Sequence, residues 1–164
     1  MRRQKAPADL VLRELETLYR IRYPAFVRVV TGIVGNEEAA RDAVHDGFVR
    51  AVRHHRRFRG SGSLEGWVWR IVVNEGRKTR KRAARDVSVA AVEVSTNGHR
   101  EVDDIRPLLT ALPDRQRAAL FLRYYADLDY RGIAEALGVR PGTVAATLNA
   151  AHAAVRKQLE EEGR

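Results

Sequence analysis

The 164-residue sequence contains no cysteine, which removes disulfide scaffolds, thiolate metal sites and cysteine nucleophiles together. It has no apolar run near the roughly 20 residues that a membrane-crossing helix needs, so no membrane insertion is expected. Its basic start, Met1-Arg2-Arg3-Gln4-Lys5, leads into no apolar signal core, and the expectation is a cytoplasmic protein. The phosphate-cradling G-x-x-x-x-G-K-[ST], the dinucleotide G-x-G-x-x-G and the nucleophile-elbow G-x-S-x-G are all missing. No acid–base pair converges either, so no enzyme activity, no catalytic residue and no cofactor are expected. Asp42, His45 and Asp46 lie at helical spacing, but no further ligand types cluster with them, and no metal site is expected. His54-His55 sits inside Arg53-His54-His55-Arg56-Arg57, a positive field that disfavours a cation.

What is present is charge, unevenly placed. The chain carries 30 Lys+Arg against 21 Asp+Glu, a net of +9. Residues 1–85 hold 20 of those cations and 9 of the acids, net +11; residues 86–164 hold 10 and 12, net −2. A half-chain this basic attracts a polyanion, for which nucleic acid and an anionic membrane surface are the candidates. Apolar residues make up 45% of the chain, enough for a packed core.

The periodicity predicts an all-α protein of two small helical domains joined by a flexible linker. Residues 1–9 read as a disordered tail. A first helix runs from about Leu10 to Arg22 and stops at Tyr23-Pro24, because a residue before proline is pushed out of the helical region. A second helix carries Phe26, Val29, Val30, Ile33 and Val34 on one face and ends at Gly35. Asn36 caps the next helix, which has Glu37 and Glu38 in its first turn and runs to about His54. Arg59-Gly60-Ser61-Gly62-Ser63 is a loop, and Ser63 caps a helix from 64 to about 84. In that helix Leu64, Trp67, Val68, Ile71 and Val72 form an apolar stripe. Arg70, Asn74, Arg77 and Lys81 stack on the opposite face at spacings of four, three and four, and Trp69 lies off the stripe, partly exposed. The first domain is thus 10–85. Residues 86–104 form the linker, and a second domain spans 105–160. It opens with a short helix, Leu108 to Leu112, followed by one that Asp114 caps.

Tyr130 to Leu148 meets the requirements of a helix-turn-helix. Ala134 is small where two helices cross, Gly138 supplies a left-handed turn, and Pro141 opens the second helix. Ile133, Leu137, Val139, Val144 and Leu148 are apolar where the helices pack. The groove-facing candidates on the second helix are Thr143, Ala145, Ala146, Thr147, Asn149 and His152, flanked by Arg140, Arg156 and Lys157. No Lys or Arg occurs from Gly142 to Val155. Since phosphate contacts supply much of DNA affinity, this domain alone is expected to bind duplex weakly. In the first domain, the two tryptophans beside the basic face offer what an unstacked base and a phosphate each need.

The order of these parts resembles a known family. Asp42-Ala43-Val44-His45-Asp46-Gly47-Phe48-Val49-Arg50-Ala51, then Phe58-Arg59-Gly60, then Trp67-Val68-Trp69-Arg70-Ile71 and Asn74, resembles region 2 of the extracytoplasmic-function (ECF) sigma factors. Leu112-Pro113-Asp114-Arg115-Gln116-Arg117 with Tyr130 to Leu148 resembles their region 4. The resemblance implies a subunit that binds RNA polymerase core and directs it to promoter DNA. It implies core binding through Asp42, Asp46, Phe48 and Val49. It assigns −10 recognition and strand opening to Arg59, Ser61, Ser63, Trp67, Trp69, Arg70, Asn74, Arg77 and Lys81. The −35 element would be read by Arg140, Thr143, Ala146, Thr147, Asn149, His152 and Arg156. An anti-sigma factor is a further partner the family often has. The chain departs from the family pattern at His45 and Asp46, where glutamine and glutamate are usual. It departs again at Ala145, Ala146 and Thr147, where basic and serine residues are usual. Two other readings compete: a stand-alone helix-turn-helix regulator, and a sigma-like module that only binds other proteins.

Overall fold

The computed structural model describes residues 7–86 and 106–163. Seven α-helices follow one another, with no strand among the described residues: α1 Ala8–Val34, α2 Glu37–Arg53, α3 Leu64–Asp86, α4 Arg106–Thr110, α5 Asp114–Tyr124, α6 Tyr130–Leu137 and α7 Pro141–Glu162. A single 3-10 turn, His55–Arg57, follows α2. Most of the expected tail and nearly all of the expected linker lie outside the described residues.

The break expected at Tyr23-Pro24 does not occur; Pro24 sits inside α1. Proline removes the N–H that would serve the carbonyl of Arg20. Arg20 and Pro24 are both exposed, so water can take that carbonyl. On the other side of the helix, Val11, Leu15, Phe26, Val29, Val30 and Ile33 enter one core, and burial on both sides of the proline outweighs one lost bond. The helix also begins at Ala8, two residues inside the expected tail. It ends as the sequence indicates. Gly35 takes φ +87°, and the Asn36 side chain accepts from the Ala39 N–H at 2.8 Å.

α1, α2 and α3 pack through Phe26, Val44, Phe48, Val68, Trp69 and Val72. Gly47 lets α2 approach α3: a Cβ there would stand 2.7 Å from Val72 Cγ2. Ser63 opens α3 as expected, its Oγ accepting from the Gly66 N–H at 2.9 Å. The apolar stripe of α3 is displaced from the expected one. Gly66, Val68, Trp69, Val72, Val73 and Gly76 are buried, while Trp67 and Ile71 are only half-buried.

In the second group, the expected cap at Asp114 is not made. Pro113 holds the N-cap position and Asp114 is the first helical residue. Its carboxylate still lies at the positive end of α5. There it accepts from Arg117 Nη2 at 2.7 Å and also from Arg80 of α3. Arg117 is buried and needs that counter-charge. Asp127 adopts φ +52°, and the Asp129 carboxylate caps α6 through the Gly132 N–H at 2.8 Å. Gly138 closes α6 at φ +66°, and Pro141 starts α7. Ile133, Val144 and Leu148 are buried between the two helices, with Leu137 and Val139 packed at the edge.

The two groups meet along two seams. Phe121 of α5 lies over Gly32 of α1, with no room for a Cβ. Along the other seam α6 lies against the start of α3. Arg22 ties both seams, donating to Glu65 Oε1 at 3.0 Å and to the carbonyl of Ala126 at 2.5 Å.

Candidate nucleic-acid interface

The basic face of α3 is built by helical spacing on a buried opposite side. Arg70, Asn74 and Lys81 are exposed and Arg77 is half-buried. Asn74, Arg77 and Lys81 line a recess of about 460 Å³, together with Arg50, Ile71 and Lys78. Arg50 and Lys78 are cations the sequence reading missed. Arg50 comes from α2, and only the packing of α2 on α3 brings it there. Glu75 sits between them, accepting from Arg50 and from Lys78 at 3.1 Å. Burial pushes the Glu75 carboxyl up, but the two cations outweigh it and hold the pKa below the ordinary value. Burial lowers the Arg77 pKa, with Asp114 opposing that shift and Arg115 adding to it. Arg70 stands apart from the recess, its guanidinium over Gly138 at the turn of the helix-turn-helix. Neither Arg70 nor Lys81 has a carboxylate partner among the described residues.

The tryptophans divide. Trp67 is half-buried and tilts against Phe58, ring centroids 5.7 Å apart, leaving part of the indole beside the loop. Trp69 is a correction: it is 0% exposed, stacked on Phe26, and its Nε1 donates to Glu65 at 3.2 Å. It cannot face an unstacked base. The glycines at 66 and 76, not only the bulky residues, mark the buried side of α3, to which Trp69 belongs.

The loop before α3 exposes Arg59 and Ser61. Gly60 at φ +69° and Gly62 at φ +123° make its turns. Ser63 is engaged from the other group. Its N–H donates to Glu135 Oε2 at 3.2 Å and its Oγ–H to the same oxygen at 2.9 Å.

On α7, Thr143, Ala146, Asn149, His152 and Arg156 are exposed along one side, with Arg140 just before the helix. Two of the expected readers have internal partners. The Thr147 hydroxyl donates to the Thr143 carbonyl at 2.7 Å, and His152 Nε2 is 2.9 Å from the Tyr124 hydroxyl.

On α2, Asp42 and Asp46 are exposed and Val49 is half-buried. Phe48 is a second correction. It is 5% exposed, with its ring held edge-on between Tyr19 at 4.9 Å and Phe26 at 5.0 Å. It supports the α2 surface from beneath and offers no face to a partner. The apolar groups available there are Val52 and Tyr19, 46% and 37% exposed. Val49 and Val52, three residues apart on an otherwise polar face, carried that signal in the sequence.

Two family models match successive parts of the chain. Residues 18–86 match the family described as Sigma-70 region 2, and residues 103–155 match Sigma-70, region 4. The RNA polymerase sigma-E factor of Streptomyces antibioticus is 26% identical over 153 residues, covering 90% of this chain and 85% of that protein. The ECF RNA polymerase sigma factor SigW of Bacillus subtilis is 26% identical over 178 residues, covering 96% and 91%. Among solved structures, the sigma factor RpoE of Bartonella quintana, in complex with the anti-sigma factor NepR, superposes with a TM-score of 0.71 at 20% identity. That match covers 90% of this chain and 98% of the other.

Proposed function

Because the chain belongs to the sigma-70 family, within its extracytoplasmic-function group, we propose that it works as a promoter-specificity subunit whose two helical domains, residues 10–85 and 105–160, divide the promoter between them. The first holds the −10 region. Asn74, Arg77 and Lys81, with Arg50 and Lys78, attract the phosphates of an opened strand, and the Arg59–Ser63 loop with the free edge of Trp67 receives a base. The second reads the −35 region through Thr143, Ala146 and Asn149 with flanking Arg140 and Arg156. RNA polymerase core docks on the α2 surface at Asp42, Asp46 and Val49, with Val52 and Tyr19 adding apolar area. The chain does no chemistry of its own: its binding free energy selects and holds DNA. It acts in the cytoplasm, where an anti-sigma factor is a further partner.

The observation that carries this reading is the cationic recess on α3, built in the same chain as an exposed helix-turn-helix face. A stand-alone regulator has no use for the first, and a protein-only module has no use for either. The test is transcription in vitro with core polymerase and mapping of the new start sites. Addition of the chain gives starts that core alone does not give. Asn74→Ala lowers their yield, and Lys81→Ala lowers the salt slope of promoter binding by about 0.7–1 unit, the share of one phosphate contact. Absence of new starts on a genomic template overturns the reading.

A further inference from the structure

The surfaces assigned to DNA are not equally open in this chain. The outer side of α7 faces solvent, but the loop that opens α3 is occupied from within. Glu135 of α6 points its carboxylate at Ser63 and takes both of that residue's donors, the N–H at 3.2 Å and the Oγ–H at 2.9 Å. The fit is close. Gly62 and Gly66 leave no spare volume beside the carboxylate, and a Cβ at Gly66 would overlap it. The positive end of α3 favours an anion there, and Glu135 supplies one. One turn beyond Gly66 on α3, the exposed Arg70 places its guanidinium against Gly138, so a second residue of the −10 surface touches the same helix pair.

We propose that Glu135 is an intramolecular latch, whose carboxylate takes the donors through which the Arg59–Ser63 loop holds a promoter strand. In the free chain the loop and the strand are then alternatives. A strand phosphate or base oxygen gains Ser63 only when α6 leaves α3. The two regions must therefore part before Ser63 can serve the −10 surface, while Arg59, Ser61, Asn74 and Lys81 are exposed beforehand. The latch rests on the assignment of the Ser63 loop to DNA, and it adds a competitor to that site.

The test uses the full chain, whose lack of cysteine allows dyes to be placed at will. Cysteines are introduced at Arg57 and Arg131, both exposed, to report the distance between the two groups by energy transfer. Binding of a fluorescent mixed-sequence 20-nucleotide single-stranded DNA is followed by anisotropy, for the parent chain, for Glu135→Gln and for Glu135→Arg. Circular dichroism reports whether each variant is folded. The Gln variant keeps the volume and loses the charge, so it remains informative if the Arg variant does not fold. The expected result is about tenfold tighter binding by Glu135→Gln, the loss of one charge-assisted pair, together with lower energy transfer. Unchanged DNA affinity in a folded Glu135→Gln chain overturns the latch, whether or not the energy transfer falls. The underlying assignment has a separate control, transcription with core polymerase and the Asn74→Ala chain. If that variant initiates normally, the assignment of the α3 surface fails. If it is defective while Glu135→Gln leaves free-chain binding unchanged, the latch alone fails.

Discussion

The indole of Trp69 lies face to face on the ring of Phe26, centroids 3.8 Å apart and planes inclined by 24°. This pair joins α3 to α1 at the centre of the first helical group, and both residues are 0% exposed. Truncating the indole leaves a cavity that neighbouring helices cannot close. Trp69→Ala is therefore expected to cost about 3–5 kcal/mol of stability, seen as a lower urea midpoint. Trp67→Ala, at a half-buried edge, is expected to change the midpoint far less and to lower promoter opening in a transcription assay. Equal loss of stability in both variants would contradict this division of roles.

Gly47 stands mid-helix, where alanine is ordinarily better by nearly 1 kcal/mol. Here the sign reverses. The added methyl meets the Val72 side chain at 2.7 Å and its Cα at 3.0 Å, and backbone does not yield cheaply. Gly47→Ala is expected to destabilise by about 1–3 kcal/mol through overpacking, read as a fall in melting temperature.

The groove-facing side of α7 carries no Lys or Arg between Gly142 and Val155. Ala146 is exposed on that side, so a cation added there need displace nothing. Ala146→Lys is expected to tighten duplex binding by the full chain and to steepen its salt dependence by about 0.9 in the log–log slope. Filter binding at several salt concentrations measures both. An unchanged slope would place this side of α7 away from DNA phosphate.

Glu75 has its pKa held below the ordinary carboxylate value, since Arg50 and Lys78 outweigh the effect of burial. With the folded pKa depressed, the unfolded chain binds the proton first as pH falls. The stabilisation is thus fully present above the unfolded value of about 4.3 and is lost as pH drops through the folded value. Glu75→Gln is expected to flatten the decline of the urea midpoint below about pH 4.3 and to leave the shape of the curve near neutrality unchanged. The same steep acid limb in parent and variant would show that Glu75 does not contribute.

Much of this architecture was legible because it follows from local chemistry. Gly35, Asn36, Ser63, Gly138 and Pro141 each fix a helix end through backbone geometry or one side-chain bond, and those are properties of a few adjacent residues. The misreadings have tertiary causes. Pro24 is a helix breaker by its own chemistry, yet apolar burial before and after it holds α1 straight through. Trp69 falls outside a stripe drawn from the other bulky residues of α3, yet it shares the buried side with Gly66 and Gly76. Arg50 joins the recess only because α2 packs on α3, whereas Lys78 lies one turn after Asn74 on α3 itself and was legible from helical spacing. The Glu135–Ser63 contact joins residues 72 positions apart, and no periodicity carries information of that kind.

Arg22 reaches from α1 to the carbonyl of Ala126 while its Nε holds Glu65, and Glu65 also receives the Trp69 indole N–H. If the helix-turn-helix half swings away, the Arg22–Glu65–Trp69 contacts lie within the first three helices and need not break, whereas the bonds to Ala126, from Ser63 to Glu135 and from Arg80 to Asp114 are exchanged for water. The first three helices then move as an undeformed block. Parting of the two groups is therefore expected to leave the first three helices folded and to raise the heat capacity by wetting both the Phe121 ring over Gly32 and the seam between α3 and α6.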